Sequence, residues 1–330
     1  MTPGASWYRS GEGEPAAALA RPSVSRRLRA WLRDRLPDPD VRDRTIVLYC
    51  RRGLRRQTAW PGMFSEFFSV LGALHYGEAH GAAALRVDFR SPPYLDPERG
   101  PNWWSYFFAR DVMPIRGGLA GAAREVRLDS PLSKYGRYGG FGDRIHGATP
   151  HLYPMTAGVP RREVHRLAAT HIRPASRVAE KVEASVVRWL ERDSYVVGVH
   201  YRGTDTARHY PYYRIPYEVY EAEVRQVLAS AAPSRYQVFV ATDESAFIDF
   251  MSRAFPGRVV YSSEAPRVAP DAEPIHFNRT IAASGYLKGE SALVDCLLLA
   301  RCVYLVKGRS NLSDASLVFN EQLPYSFCLG

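Results

Sequence analysis

The chain has 330 residues, enough for two ordinary domains, and 46% of them are hydrophobic, so it can bury substantial cores. Its longest apolar runs are far shorter than the roughly 20 residues that a membrane span needs, and its first residues lack the basic segment and apolar core of a signal peptide. The net charge of +10 suits an acidic ligand. These features exclude a membrane-spanning protein and predict a globular protein of the cytoplasm.

Two other classes of protein are not expected. The sequence contains no recognition-helix pattern, zinc finger or RNP-like motif, which argues against a nucleic-acid partner despite the positive charge. The cysteines have no CxxC spacing, so we expect buried free thiols rather than a zinc site or a disulfide framework. These cysteines are Cys50, Cys296, Cys302 and Cys328.

The first half of the chain begins with an N-terminal extension, residues 1–42, which is rich in Ala, Pro, Gly and Arg. An apolar run at 45–50 predicts a core strand, and apolar residues at helical spacing predict a helix over 63–80 that stops at Gly81. A second strand is predicted at 84–89. Strand, helix and strand in this order form a βαβ unit, which implies a parallel sheet.

The middle of the chain, between 91 and 160, is dense in Pro, Gly and aromatic residues, and we interpret it as long structured loops. The Asn-Trp-Trp segment at 102–104 is predicted either to stack on a sugar ring or an apolar acceptor, or to pack at a domain edge. The same two alternatives apply to the Tyr-Pro-Tyr-Tyr segment at 210–213. Residues 161–192 should be helical, in two pieces because of Pro174.

The second half alternates regularly between strands and helices, as in a second βαβ repeat. We predict strands at 195–201, 236–242, 258–261 and 302–307, and helices at 216–230, 244–254, 290–300 and from 313. The chain is therefore predicted to be an α/β protein with two Rossmann-like domains, residues 43–190 and 191–330, each with a mainly parallel sheet.

The most informative segment is the His-Tyr-Arg-Gly-Thr-Asp run at 200–205, which follows the apolar residues of a predicted strand. Open α/β sheets hold their ligands at the carboxyl ends of strands. A cluster of charged and hydrogen-bonding residues at this place predicts an anion-binding site.

At these residues the chain resembles the fucosyltransferase superfamily, which includes α1,6-fucosyltransferases, the bacterial nodulation fucosyltransferase and protein O-fucosyltransferases. The run at 200–205 is similar to the HxR[RG]TD signature of that group. Three further segments agree: 60–64 (WPGMF) resembles the Gly-containing loop after the first strand, 241–244 (ATDE) resembles a strand end, and 295–313 resembles the closing "D-LLL … SN-S" pattern. The resemblance covers roughly 45–325 and is stronger in the second half.

The resemblance implies a GT-B glycosyltransferase, in which two Rossmann-like domains face each other across a cleft. Residues 43–190 would bind the acceptor, and residues 191–330 would bind the nucleotide sugar. The expected reaction transfers a sugar, in the first place L-fucose, from a GDP-sugar to an acceptor hydroxyl with inversion. No cofactor is expected beyond this donor substrate.

A metal ion is not expected either. Transferases that depend on a divalent ion place an acidic pair after a strand, beside the diphosphate. The Asp-x-Asp pair of this chain, Asp38 and Asp40, lies in a Pro-rich linker before the first strand. We therefore predict that Arg202 takes the role of the ion.

The resemblance also assigns roles to individual residues. Arg202 grips the β-phosphate, for which its planar guanidinium is suited, while His200 and Asp295 bind guanine. Asp205 is expected to hold Arg202 or Thr204 in place. The expected donor-binding residues are Gly62, Met63, Phe64, His200, Arg202, Gly203, Thr204, Asp243, Asp295, Ser310, Asn311 and Ser313.

Purely structural roles stay open for several of these residues. Arg202 would also fit a surface ion pair, and Asp295 a salt bridge with an arginine, because an isolated buried carboxylate is costly. Ser310 would fit an ordinary helix N-cap. Asp243 either contacts a ribose or base or caps the helix that follows it.

The catalytic base is the least defined group, because the chain departs from the family pattern after the signature. Thr206 stands where a lysine is common, and Arg208 and His209 replace a carboxylate that some members carry. Glu66 and His209 are the candidates for the base.

The acceptor also stays open, as a glycan, a peptide or a small molecule. Two alternatives fit the same residues. One is a transferase that uses another nucleotide sugar on a small secondary metabolite. The other is a non-catalytic protein that binds nucleotide sugars or glycans.

Overall fold

The computed structural model describes residues 40–50, 62–116, 124–129, 159–189, 194–204, 215–270 and 283–328, together with residues 272, 273, 275, 278 and 281. Residues 40–330 form one compact unit. Several predictions lie outside the described residues: most of the N-terminal extension, Trp60 and Pro61, the base candidate His209, Asp205, and the aromatic segment 210–213.

The first sheet has four strands: β1 (Thr45–Tyr49), β2 (Ala84–Asp88), β3 (Val112–Pro114) and β4 (Glu125–Asp129). Their order across the sheet is β3-β2-β1-β4. Strand β1 is parallel to both β2 and β4, whereas β3 is antiparallel to β2. The βαβ unit of the first half is thereby confirmed. Strands β3 and β4 lie in the segment 91–160, for which the sequence predicts long loops, so this prediction is wrong for these eight residues.

Helix α1 (Met63–His80) joins β1 to β2. It begins after Gly62 and ends at Gly81, whose φ of 75° is a left-handed conformation that glycine adopts without strain. Its buried residues occur on all sides of the helix, since it packs between the sheet and two other helices. Its first turn therefore has a fixed position in the fold.

The second sheet has five parallel strands: β5 (Tyr195–Tyr201), β6 (Tyr236–Thr242), β7 (Val259–Val260), β8 (Tyr304–Lys307) and β9 (Tyr325–Phe327). Their order is β7-β6-β5-β8-β9. The chain thus proceeds outward from β5 on both sides, and the strand order reverses between β5 and β8. Crevices at such switch points are where open α/β sheets bind their ligands.

The described helices of the second half cover both faces of this sheet. They are α5 (Tyr217–Ala231), α6 (Ser245–Ala254), α7 (Gly285–Leu299) and α8 (Asn311–Phe319). Val197, Val199 and Tyr201 of β5 pack with α5 and α6 in one apolar cluster. Val196 belongs to the other cluster, which includes α7 and α8. This is the mixed α/β, parallel-stranded architecture that the alternating pattern predicts.

Further helical segments lie within the first half and between the two sheets. Two 3₁₀ turns, Pro92–Tyr94 and Pro97–Arg99, and helix α2 (Trp104–Phe107) lie between β2 and β3. Helices α3 (Arg161–His171) and α4 (Ser176–Trp189) lie between β4 and β5. The break between α3 and α4 at Pro174 is as predicted. Trp103 and Trp104 are fully buried, so packing is the role of this aromatic segment and stacking on a sugar is not.

All four cysteines are buried and none of them forms a disulfide, as expected. In the described part of the chain no helix is both long and apolar enough to cross a membrane.

Candidate functional site

A pocket opens where the strands β5 and β6 end, at the switch-point side of the second sheet. It encloses about 640 Å³ of space, part of which is open to solvent. Helix α7 forms one wall, and the 3₁₀ turn Pro92–Tyr94, which follows β2, contributes one residue. Its polar lining includes Tyr94, His200, Arg202, Asp243, Lys288 and Asp295.

The turn that carries Arg202 is held by Asp243. The Gly203 N–H donates to Asp243 Oδ1 over 3.0 Å, and the Thr204 hydroxyl donates to Asp243 Oδ2 over 2.6 Å. Since Tyr201 pairs with Thr242 in the parallel ladder, the turns after β5 and β6 leave the sheet side by side. Asp243 therefore holds the turn that directly follows Arg202; the similar role expected of Asp205 is not tested, because Asp205 lies outside the described residues. The helix-cap alternative for Asp243 is wrong, because Glu244 is the N-cap residue of α6.

Gly203 lies directly against the carboxylate of Glu244. A Cβ atom at position 203 would overlap that carboxylate, so the close approach requires glycine. Glu244 is fully buried, and its Oε2 atom accepts a hydrogen bond of 2.6 Å from the Tyr217 hydroxyl. Sequence reasoning missed this pair, which fixes the second side of the Arg202 turn.

Asp295 presents a buried carboxyl group to the pocket. It is 6% exposed, and within the described residues its Oδ1 atom has no hydrogen-bond partner. Burial raises its pKa to about 7, against the opposing effect of the positive charges of Arg267 and Lys181. The salt-bridge alternative is not seen: neither cation forms an ion pair with Asp295 among the described residues. The Asp295 Oδ1 atom is therefore a buried hydrogen-bond acceptor to which no described residue donates.

Tyr94 reaches the pocket from the turn after β2. Its hydroxyl oxygen accepts a hydrogen bond of 2.9 Å from the Met63 N–H, at the start of α1. Burial raises the pKa of Tyr94 to about 12, so the hydroxyl keeps its hydrogen and can donate it to a ligand. Both Arg202 and Glu66 are near enough for their charges to affect this pKa. No sequence pattern pointed to Tyr94.

The residues expected from the first half lie around the start of α1. Gly62 is the N-cap residue, next to the Tyr94 hydroxyl. Met63 and Phe64 are part of the hydrophobic core. Glu66 is 1% exposed in the first turn. Glu66 is near Tyr94, since its charge affects the pKa of that residue. Tyr94 lines the pocket, and Glu66 does not.

The residues expected from α8 form its N-terminal cap. Ser310 Oγ accepts from the Leu312 N–H over 3.3 Å, so the N-cap alternative for Ser310 is confirmed. The Ser313 hydroxyl is fully buried and donates to the Ser310 carbonyl over 3.1 Å. Asn311 Oδ1 is buried without a hydrogen-bond partner in the described part of the chain. Leu312 lines the pocket, which puts this cap at its margin.

A second, smaller space of about 280 Å³ lies beside Arg202. His200 and Arg202 line both spaces, and Arg309 lines the smaller one. The end of β5 thus lies between the two spaces. The side chains of Arg202 and Arg309 both line the smaller one.

A buried ion pair supports the neighbouring strand. Lys307, at the end of β8, donates to Asp314 Oδ1 over 2.7 Å, and neither side chain is exposed. Burial raises the pKa of Asp314 to about 7, against the opposing effect of Lys307. This pair fastens the end of β8 to the first turn of α8.

Within the described residues, no group of three or more His, Cys, Asp or Glu side chains is arranged to hold a metal ion.

Comparisons with known proteins give a likeness in structure alone. No protein-family model matches the chain, and no curated protein matches it. The solved structure of NodZ α-1,6-fucosyltransferase co-crystallised with GDP is similar, with a TM-score of 0.50 and 18% identity over 84% of this chain and 93% of that chain. The NodZ structure soaked with GDP-fucose gives the same values. POFUT1 in complex with GDP has a TM-score of 0.49 and 13% identity, over 88% and 99% of the two chains. The chain therefore has a fucosyltransferase-like fold.

Proposed function

We propose that the protein is a glycosyltransferase that takes its sugar from a GDP-sugar, in the first place GDP-fucose, and transfers it to an acceptor hydroxyl. The observation that carries this proposal is the joint presence, in one pocket at the switch point, of a buried acceptor at Asp295 and a guanidinium at Arg202. NodZ, whose fold is similar, has been crystallised with GDP and soaked with GDP-fucose.

Asp295 is the proposed reader of guanine. The Watson–Crick edge of guanine offers two neighbouring N–H groups, and one carboxylate can accept both. Adenine and uracil do not present this pair of donors. A ligand that supplies these donors also offsets the cost of the buried charge, since hydrogen bonds to a carboxylate favour its ionised form.

Arg202 is the proposed stabiliser of the leaving group. When the bond between the anomeric carbon and the β-phosphate oxygen breaks, negative charge collects on the diphosphate. A guanidinium matches two phosphate oxygens at once, and it stabilises that charge most when it is held in place beforehand. The two hydrogen bonds of Asp243 to the adjacent turn provide this fixed position.

We further propose that the acceptor hydroxyl attacks from the face opposite GDP, so that the anomeric configuration inverts. A GT-B arrangement suits this reaction, with residues 43–190 binding the acceptor and residues 191–330 binding the nucleotide. Of the two candidates for the catalytic base, Glu66 is the one within the described residues. It is buried near Tyr94, whose side chain lines the pocket.

The test combines binding and turnover. Calorimetry with GDP, UDP and ADP should show the tightest binding for GDP, and incubation with GDP-fucose and candidate acceptors should release GDP. Arg202→Ala should weaken GDP binding by about 1.5–3 kcal/mol, that is roughly tenfold or more, and abolish transfer. Tighter binding of UDP would remove the guanine assignment, and near-normal transfer by Arg202→Ala would refute the clamp. Binding of GDP without any transfer would favour a non-catalytic binding protein.

A further inference from the structure

The α7 wall of the pocket presents more than Asp295. Lys288, Ser291 and Asp295 all line the pocket, and their spacing of three and four residues places them on one face of the helix. Lys288 is therefore in the same space as Arg202, two turns of α7 away from Asp295.

In the described part of the chain, no ion pair neutralises the charge of Lys288. Its Nζ atom donates to the Asn278 carbonyl over 2.8 Å, and no carboxylate among the described residues forms an ion pair with it. Burial lowers the pKa of Lys288, and no anion among the described residues opposes this effect. A partly buried ammonium in this situation favours an anionic ligand.

Lys181, on the neighbouring helix α4, provides a contrast. It forms ion pairs with Glu264 and Glu290, at 2.9 and 3.0 Å. The cations that oppose the raised pKa of Asp295 are Arg267 and Lys181, not Lys288. Lys288 therefore compensates neither the carboxylate of its own helix nor the ionic network beside it.

We propose that Lys288 is a second cationic contact for the diphosphate of the bound nucleotide, acting with Arg202; this inference rests on the function proposed above. Seven residues at 1.5 Å each separate Lys288 from Asp295 by about 10 Å along the axis of α7. That length is comparable to the distance between base and phosphates in an extended nucleoside diphosphate. One ligand can then place its base at Asp295 and its phosphates between Lys288 and Arg202. An ammonium suits this place, because it acts as a point charge without a fixed hydrogen-bond direction.

The experiment is calorimetry of the full chain with GDP, GMP and guanosine at one salt concentration. Lys288→Met removes the charge and keeps a long side chain. Arg253→Met is the matched control, since Arg253 is exposed in the last turn of α6 and its loss lowers the net charge equally. Lys288→Met should weaken GDP binding about tenfold, the value of one charge-assisted hydrogen bond, and change guanosine binding less than about twofold. Arg253→Met should change neither, and Lys288→Arg should keep most of the GDP affinity.

Equal losses for GDP and guanosine would overturn the proposal, because Lys288 would then act on the base, the ribose or the fold. Unchanged GDP binding by Lys288→Met would overturn it as well. If the wild type prefers UDP, the guanine assignment fails on its own, and the same comparison of UDP with uridine tests Lys288. If the wild type binds no nucleoside diphosphate, both proposals fail. A melting temperature for each variant, taken before titration, establishes that the compared proteins are folded.

Discussion

The carboxyl group of Asp295 destabilises the folded chain whenever it is ionised, because it is buried and its Oδ1 atom lacks a hydrogen bond within the described residues. Its folded pKa of about 7 lies above the ordinary value of 3.8. Between these two values the folded protein keeps a proton that the unfolded chain releases. Stability from this group is therefore full at low pH, falls as the pH rises towards 7, and is lost above it.

Replacement of Asp295 by Asn should separate stability from binding. At pH 8 the variant should melt on the order of 2 °C higher than the wild type, which corresponds to about 1 kcal/mol, since a neutral amide avoids the cost of a buried charge. At pH 5 the advantage should shrink, because the wild-type carboxyl group is then mostly protonated in the folded state. Thermal melts of both proteins at the two pH values measure this difference.

The same variant should lose its preference for GDP over inosine diphosphate, which lacks the 2-amino group of guanine. Equal melting temperatures at pH 8, or a retained preference for GDP, would contradict the role given to Asp295.

Single residues also show how much of the site can be predicted from the sequence alone. The position of Arg202 after a strand predicts an anion contact, and the family resemblance implies the roles of Arg202 and Asp295. Tyr94 and Lys288 were not found. Tyr94 enters the pocket because Gly285 packs against the backbone of Leu95. The two segments are about 190 residues apart in the chain. The periodicity of the local sequence cannot predict such a contact.

At the scale of elements, the turn after β5 depends on the strand beside it. Asp243 gives both carboxylate oxygens to this turn, so the position of Arg202 is set by β6 as much as by β5. The parallel register brings the two strand ends together. The site at the end of β5 thus depends on two neighbouring strands, even when a single residue carries the charge.

Asp243→Ala should lower turnover with GDP-fucose by tenfold or more, because two hydrogen bonds to a charged acceptor, each worth about 1.5–3 kcal/mol, are lost at once. Thr204→Val is the matched variant: it removes the hydroxyl donor and keeps the shape of the side chain, and the Gly203 bond survives. Its effect should be smaller. Steady-state kinetics of both variants test this order, and an equal or larger loss in Thr204→Val would contradict it.

Helix α7 shows why an element boundary was mispredicted. The sequence predicted a helix at 290–300, whereas α7 spans Gly285–Leu299. Glycine disfavours helices, so local propensity at Gly285 and Gly289 argues against a helix that includes them. A Cβ atom at 285 would lie 2.6 Å from the Leu95 carbonyl oxygen, and one at 289 would overlap Phe107. These glycines are there for close packing, a tertiary cause that outweighs local propensity.

The short strand β4 escaped prediction for a different reason. Its residues alternate between polar and apolar, as in a half-buried strand, but they stand in a stretch rich in glycine and arginine. Its pairing with β1 supplies the stability that five residues lack alone.

At the scale of the whole molecule, one apolar core runs through both sheets. Phe67 of α1 and Phe319 at the end of α8 have ring centroids 5.4 Å apart. Arg161 of α3 donates to the carbonyls of Leu317, Asn320 and Leu323, which satisfies the C-terminal end of α8. The pocket is built on this shared frame, so a ligand bound there should stabilise the described fold as a unit.

GDP at about 100 times its dissociation constant should stabilise the protein by about 2.7 kcal/mol, which raises the melting temperature by several degrees. UDP at the same concentration should raise it less. EDTA should leave both the GDP shift and the transfer rate unchanged, because Arg202 is proposed to replace a divalent ion. Differential scanning fluorimetry and an assay of GDP release measure these effects. Loss of turnover in EDTA, restored by a divalent ion, would show that a metal takes part.

The contact between Gly203 and Glu244 limits the order in which this chain can accept mutations. A side chain at 203 is tolerated only after the carboxylate at 244 has been shortened or moved, since the two would otherwise occupy the same space. If position 203 is substituted first, the intermediate variant has a displaced Arg202 turn. Divergence at these two positions is therefore directional, and any redesign of the signature turn has to begin at Glu244, the N-cap residue of α6.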